Sequence, residues 1–463
     1  MKDSAKPGYI TTVDPTTEQP LKDYAIMERD EAFAAVERCH EAFLHWRETS
    51  MESRAEIIGK IGDKLRERAD DFAALMTDET GKRLADGHTE IELCAAICDW
   101  TAKQGPEELA DEVREVANGK QGVITYQPQG VIYGIQPWNF PAYQAVRYAI
   151  ANLMAGNGVL LKHASNCTGS GLFLRDVFEA AGLPEHLFTV LVIDHDTSDE
   201  IIKNHRVRGV TLTGSAASGA KVAAVAGGAI KKTVLELGSN DAYLVLDDAD
   251  LDLAVKTCVI GRIYNNGQTC VNAKRFIVTE KNYDAFVKAY VEAMSALEMG
   301  DPREKSTKLG PMSRGDLRDE LHEQVVKSVD KGATVECGGE VPEREGYFYP
   351  ATVLTGVKPG QPAYDEELFG PVASVIRAKD DMDAMRIAND SRFGLGGGIF
   401  SQDEDYAVNL ARLHFDTGMV FVNGFNVATP NMPFGGVKDS GYGREHGGFG
   451  MKEFVNVKTI ITN

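Results

Sequence analysis

Three consecutive stretches, GVIYGI (130–135), AYQAVRYAIANL (142–153) and GVLLK (158–162), decide the fold. The outer two are short, rich in Val, Ile and Leu, and lack polar alternation, as strands buried on both faces of a parallel sheet do. The middle stretch is long and apolar enough to be the helix that crosses between them, so the three read as one β-α-β unit. FTVLVI (188–193), GVTLT (209–213) and TVLEL (233–237) repeat the strand pattern, and SGLFLRDVFEAAG (170–182) supplies a further helix. A doubly wound α/β sheet follows.

Downstream of Gly238 a second series begins with AYLVL (242–246), KRFIVT (274–279), PVASVI (371–376) and MVFVN (419–423), which predicts a second α/β body. Upstream, the first hundred residues read as a short extended start followed by helices, with Asp30 as an expected helix cap. The segment 111–128 and the end, EFVNVKTIITN (453–463), read as strands leaving the main body. Exposed strands of that kind commonly pair with a neighbouring subunit.

A chain of 463 residues is too long for one core and predicts two or three domains. Its net charge of −20 argues against nucleic acid and anionic membrane as general partners, and an anionic substrate would need a local cation. No stretch has the apolar length of a membrane span, and the opening residues lack the apolar centre of a signal peptide, so a cytoplasmic protein is expected. The seven cysteines are scattered, without a CxxC pair, and HExxH is absent, so no metal site is expected. Cys94 and Cys98 fall on one face of a predicted helix and read as core.

Cys270 stands apart because of its surroundings, Asn265-Asn266-Gly267-Gln268-Thr269-Cys270. A cysteine in a glycine-kinked segment can act as a nucleophile, but its thiol needs local help to ionise. Covalent chemistry there also needs an oxyanion donor and a base for water. Asn139, in the stiff loop Pro137-Trp138-Asn139-Phe140-Pro141, reads equally as that donor and as a cap on the helix that follows. Glu236, at the end of TVLEL, reads as a salt-bridged structural carboxylate or as a base whose pKa burial has raised. Lys162, at the carboxyl end of a strand, and Gly214-Ser215, at a strand-to-helix turn, lie where α/β folds bind phosphate-bearing ligands.

Taken together the motifs PWNFP, LTGS, ELGS, GQTC, EELFGP and PFGGVKDSGYGRE, in this order and over nearly the whole chain, closely resemble the aldehyde dehydrogenase superfamily. Glu236 and Cys270 lie 34 positions apart, as in that family. The resemblance implies a Rossmann-type cofactor domain (1–109 and 129–236), a catalytic α/β domain (237–437) and small oligomerisation segments (110–128 and 453–463). It implies Cys270 as nucleophile, Asn139 with the Cys270 N–H as oxyanion hole, and Glu236 as base against the thioester. It further implies a cofactor bed of Pro137, Trp138, Lys162, Ser165, Gly214, Ser215, Glu367 and Phe369.

Two departures bear on specificity. Relatives that prefer NAD commonly carry Glu where this chain has Ser165, so both NADP and NAD are expected as cofactors. Arg147 matches the arginine that grips the distal carboxylate in succinate-semialdehyde dehydrogenases, while Tyr264 stands where some of them have a second arginine. The implied function is NAD(P)-dependent oxidation of succinic semialdehyde by a homodimer or homotetramer. Another small aldehyde (glutaric semialdehyde, lactaldehyde) is the rival substrate. A thiol esterase and a non-catalytic binding protein are the rival classes.

Overall fold

The structure is a computed structural model and describes residues 7–462, so positions 1–6 and 463 of the expected terminal segments lie outside the described residues. The stretch Val131–Gln136 is the central strand of a six-stranded sheet, in the order Gly441–Tyr442, Lys232–Glu236, Val207–Thr213, Val131–Gln136, Gly158–His163, Phe188–Val190. All pairs are parallel except the first. Chain order reverses at Val131–Gln136, and in such sheets the ligand crevice opens beyond the strands' carboxyl ends at that reversal. The crossover helix Tyr143–Met154 is buried at every residue but Ala151, because it is sandwiched between this sheet and the N-terminal helices Met51–Glu67 and Leu84–Glu108.

The second body holds a seven-stranded sheet, in the order Thr334–Cys337, Thr352–Thr355, Val372–Ala378, Arg275–Thr279, Ala242–Val245, Gly397–Phe400, Phe421–Val422. Only its first pair is antiparallel. The chain then returns to the first sheet: Gly441 and Tyr442 pair with Glu236 and Leu235. Gly441 has φ 112°, and a Cβ there would lie 1.9 Å from the Leu235 carbonyl oxygen, so only glycine permits this pairing.

A third sheet is made of Val455–Ile461, Lys120–Pro128 and Glu112–Val116, all antiparallel. Val455–Ile461 forms one edge, with Val457, Ile460 and Ile461 exposed. Cys94 and Cys98 are buried in the helix Leu84–Glu108. Among the described residues no helix is long and apolar enough to cross a membrane.

Two local expectations are corrected. Asp30 is no cap: the helix Arg29–Trp46 starts one residue earlier, behind Glu28, and Asp30 sits in its first turn, where a carboxylate favours the helix dipole. Asn139 does not cap the helix Tyr143–Met154, whose N-cap position is Ala142. The orphan N–H groups of Ala142 and Tyr143 are instead taken by Glu90 Oε1, at 2.8 and 2.9 Å. A long-range carboxylate does the work of a local cap, which frees the Asn139 side chain.

Candidate active site

The loop before Cys270 follows from its sequence. Asn265, Asn266 and Gly267 take left-handed backbone angles (φ 53°, 55° and 76°), a run that Asn and Gly tolerate better than other residues. The Asn266 side chain holds this turn from inside, donating to the Gly81 and Pro311 carbonyls and accepting from Gly310 N–H. Gly267 lies so close to Gly370 that a Cβ would meet its carbonyl carbon at 2.4 Å. The kinked turn therefore delivers Cys270 to the end of the sheets at a determined height.

Cys270 lines a cleft of about 340 Å³, together with Pro137, Trp138 and Asn139 from the loop after the central strand. Gly214 and Ser215 enter the same cleft from the end of Val207–Thr213, and Glu367 and Phe369 from the other body. Phe369 meets Trp138 edge to face, with ring centres 5.9 Å apart. Lys162 and Ser165 line a second cleft of about 330 Å³. The structure thus gathers eight of the expected residues at one cleft and two at the other.

One amide hydrogen of Asn139 is held by the Gln268 carbonyl (3.1 Å), and Asn265 Nδ2 donates to the Asn139 carbonyl at 2.8 Å. Among the described residues the second amide hydrogen has no acceptor, as an oxyanion donor requires. The loop is braced from behind by a buried ion pair, Lys82 with Glu90, whose carboxylate also receives Ala142 and Tyr143. Lys82 Nζ lies 4.5 Å from the centre of the Phe140 ring. Tyr264 stacks on the same ring, 6.2 Å between centres, and tilts against Phe425.

Glu236 is buried behind Leu237 and Gly238, and neither of its carboxyl oxygens has a hydrogen-bond partner. Burial pushes its pKa up to about 8, against the opposing pull of Arg147 and Arg444. The Cys270 thiol is likewise pushed up to about 12 by burial, with Lys274 and Arg147 pulling it back. The expectation of local help is thus met by two cations, but burial wins and the resting thiol is neutral. Lys274, which sequence reasoning missed, is buried beneath the loop, bonded to the Thr269 and Cys270 carbonyls and to Ser239 Oγ. Its ammonium lies 3.2 Å from Glu367. The lysine sits four residues after the nucleophile, in CVNAKRF, where composition alone gives it no role.

Arg147, expected to bind a distal carboxylate, is not among the residues that line the Cys270 cleft. It is fully buried, ion-paired with Glu445, and its Nη2 donates to Thr213 Oγ1 at 3.0 Å. The rings of Phe434 and Tyr143 lie 4.7 and 5.1 Å from its guanidinium carbon. Nε faces the Glu445 carboxylate, at the end of PFGGVKDSGYGRE, as an ion pair, and Nη1 has no hydrogen-bond partner.

The donor set suits a dinucleotide. The turn at Gly214 leads into a helix of thirteen residues, Ala216–Gly228, whose N-cap Ser215 lines the cleft, so free N–H groups and the positive helix end face it. Lys162 and the Glu367 carboxylate offer a donor and an acceptor for ribose hydroxyls. Among the described residues no group of three or more His, Cys, Asp and Glu side chains could hold a metal ion, and the seven cysteines are free.

Comparison with known proteins identifies the family. Residues 2–460 match the Aldehyde dehydrogenase family. The succinate semialdehyde dehydrogenase [NAD(P)+] Sad of Escherichia coli (strain K12) is 44% identical over 452 residues, covering 98% of this chain and 97% of that protein. The crystal structure of succinic semialdehyde dehydrogenase from Streptococcus pyogenes, in complex with NADP+, superposes with a TM-score of 0.95 at 36% identity, covering 97% of this chain and 99% of that one. The structure of Gox0499, solved to study cofactor and substrate selection, superposes at 0.96 with 42% identity, covering 98% of this chain and 100% of that one.

Proposed function

The chain belongs to the aldehyde dehydrogenase family, and from that premise we propose that it oxidises succinic semialdehyde to succinate, with NADP or NAD as hydride acceptor. The observation that carries the chemistry is the meeting of Cys270, Asn139 and Glu367 at one cleft, with an unpartnered Glu236 buried beside it. The substrate class is supported by near-full-length identity to succinate-semialdehyde dehydrogenases.

Cys270 Sγ adds to the aldehyde carbon, and its proton passes to a free carboxylate oxygen of Glu236. The carbonyl oxygen gathers negative charge and is met by Asn139 Nδ2 and the Cys270 N–H, a pairing whose loss typically slows such reactions by about 10²–10³-fold. Bound in the cleft, the nicotinamide supplies the acceptor for the hydride, which leaves a thioester on Cys270. Glu236 releases that proton to solvent, and its carboxylate then takes a proton from water as the water attacks the thioester carbon; this second proton restores the thiol. The C–S bond breaks, and the carboxylic acid departs with the thiol restored.

Arg147 offers its one uncommitted donor, Nη1, to the substrate's distal carboxylate. A homo-oligomer is supported by the exposed apolar side chains on the edge strand Val455–Ile461. The division into cofactor, catalytic and oligomerisation parts is supported by the three separate sheets, and free cysteines suit the cytoplasm.

A panel of aldehydes, each with NADP and NAD and followed by cofactor absorbance, tests the reading. We expect kcat/KM for succinic semialdehyde to exceed that for uncharged butanal at least about 10-fold, the scale of one polar contact in a buried site. In Arg147→Met/Glu445→Gln, which removes both members of the buried pair together, that ratio should collapse. Preference for glutaric semialdehyde or lactaldehyde would move the substrate, and no reduction with any aldehyde would end the proposal.

A further inference from the structure

Arg314 reaches the second cleft from the other body. That cleft is lined along the first sheet by Lys162, Ser165, Asp194 and His195, whereas Arg314 comes from the loop before the helix Gly315–Asp330. We propose that Arg314 is the second cation for a 2′-phosphate on the adenosine ribose, and so a determinant of NADP use by this chain. The proposal rests on the cofactor reading given above and adds a residue to it.

The charge within the cleft is the first argument. Lys162 faces the carboxylate of Asp194, which stays ionised because its pKa is held low by bonds from Thr197 as that residue's helix begins. One ammonium against one carboxylate leaves little net attraction for a phosphate dianion, in a chain whose overall charge is −20. Loss of repulsion at Ser165 admits the phosphate but does not attract it. Arg314, whose charge Asp316 balances, contributes direction rather than net charge: the guanidinium edge that Asp316 leaves open is a planar donor fork that matches phosphate oxygens.

The second argument is placement. Ser313 Oγ accepts a bond from Asn166 Nδ2 at 3.0 Å, and Asn166 adjoins Ser165. The Ser313 N–H donates to Gln268 Oε1, also at 3.0 Å. The loop carrying Arg314 is thereby tied beside the short turn Ser165–Cys167 rather than left to solvent. Asp316 takes one edge of the guanidinium, Nε to Oδ1 at 2.9 Å and Nη2 to Oδ2, which leaves Nη1 as the donor nitrogen that Asp316 does not engage.

Calorimetric binding of 2′,5′-ADP and 5′-AMP to the full-length protein separates the phosphate from the nucleoside. In Arg314→Gln the Kd for 2′,5′-ADP should rise about 10-fold while that for 5′-AMP holds, and Arg314→Lys should recover part of the loss. The decline of 2′,5′-ADP affinity with salt should also become shallower. Asp316→Asn, which releases the guanidinium, should tighten 2′,5′-ADP. Equal weakening of both fragments, or no weakening, would overturn the role of Arg314 while leaving the cofactor reading intact. Wild-type protein that binds 2′,5′-ADP no better than 5′-AMP would overturn both.

Discussion

Replacing Glu236 by Gln should slow thioester hydrolysis and, at the same time, make the protein harder to unfold. In the native structure burial raises this carboxyl from 4.5 to about 8. At pH 7 roughly a tenth of the molecules then carry the ionised base, and at pH 9 roughly nine-tenths, so hydrolysis of the Cys270 acyl group should accelerate about 10-fold between them. In Glu236→Gln that dependence should vanish and acylated Cys270 should accumulate, visible in the intact mass. The stability effect has the opposite sign. Below pH 4.5 the carboxyl is neutral in both folded and unfolded chains, so its full contribution is present. As pH rises from 4.5 toward 8 the unfolded chain ionises and the folded one does not, and stability drains away until the folded group also titrates. The span from 4.5 to about 8 corresponds to on the order of 5 kcal/mol. The Gln variant, free of this drain, should show a thermal midpoint that gains on the wild type from pH 5 to pH 8 and runs level above it. Scans at four or five pH values, beside single-turnover hydrolysis rates, measure both halves. A flat hydrolysis rate from pH 7 to 9 in the wild type, or a Gln variant that gains nothing in stability, would refute the reasoning.

Three further outcomes follow from the same geometry. Glu90→Gln strands Lys82 without its counter-charge and should cost about 3–5 kcal/mol, with kcat lowered about 10–100-fold as the Asn139 loop loosens; denaturation and turnover should both recover in part in Lys82→Met/Glu90→Gln. Iodoacetamide labelling of Cys270, mapped by peptide mass, should quicken about 10-fold per pH unit from 7 to 9 with no plateau, since the thiol titrates only near 12. Ser165→Glu should depress turnover with NADP selectively, and an unchanged NADP to NAD ratio would remove Ser165 from cofactor choice.

Much of the fold was legible because its signals are local. The strands of 130–135, 158–162 and 209–213 announce themselves by unbroken apolar runs, and the structure extends each by a residue or two at most. The position of Cys270 was legible for the same reason: Asn265, Asn266 and Gly267 are residues that accept left-handed angles, and three in a row make a kink. Asp30 misled because a capping residue type says that a helix begins nearby, not at which residue.

Charge partnership was not legible. The sequence by itself determined the alternation of strands and helices, the glycine positions that let backbones close on one another, and the motif order that marks the family. Only the tertiary structure decided that Glu90 caps the helix after Asn139, that Lys274 underlies Cys270, and that Glu445 rather than a substrate occupies the main face of Arg147. The reason is physical. Backbone periodicity is written between neighbours, whereas a buried charge is settled by whichever partner the packing brings within a few ångströms, and Glu90 for Ala142 and Glu445 for Arg147 come from distant segments of the chain.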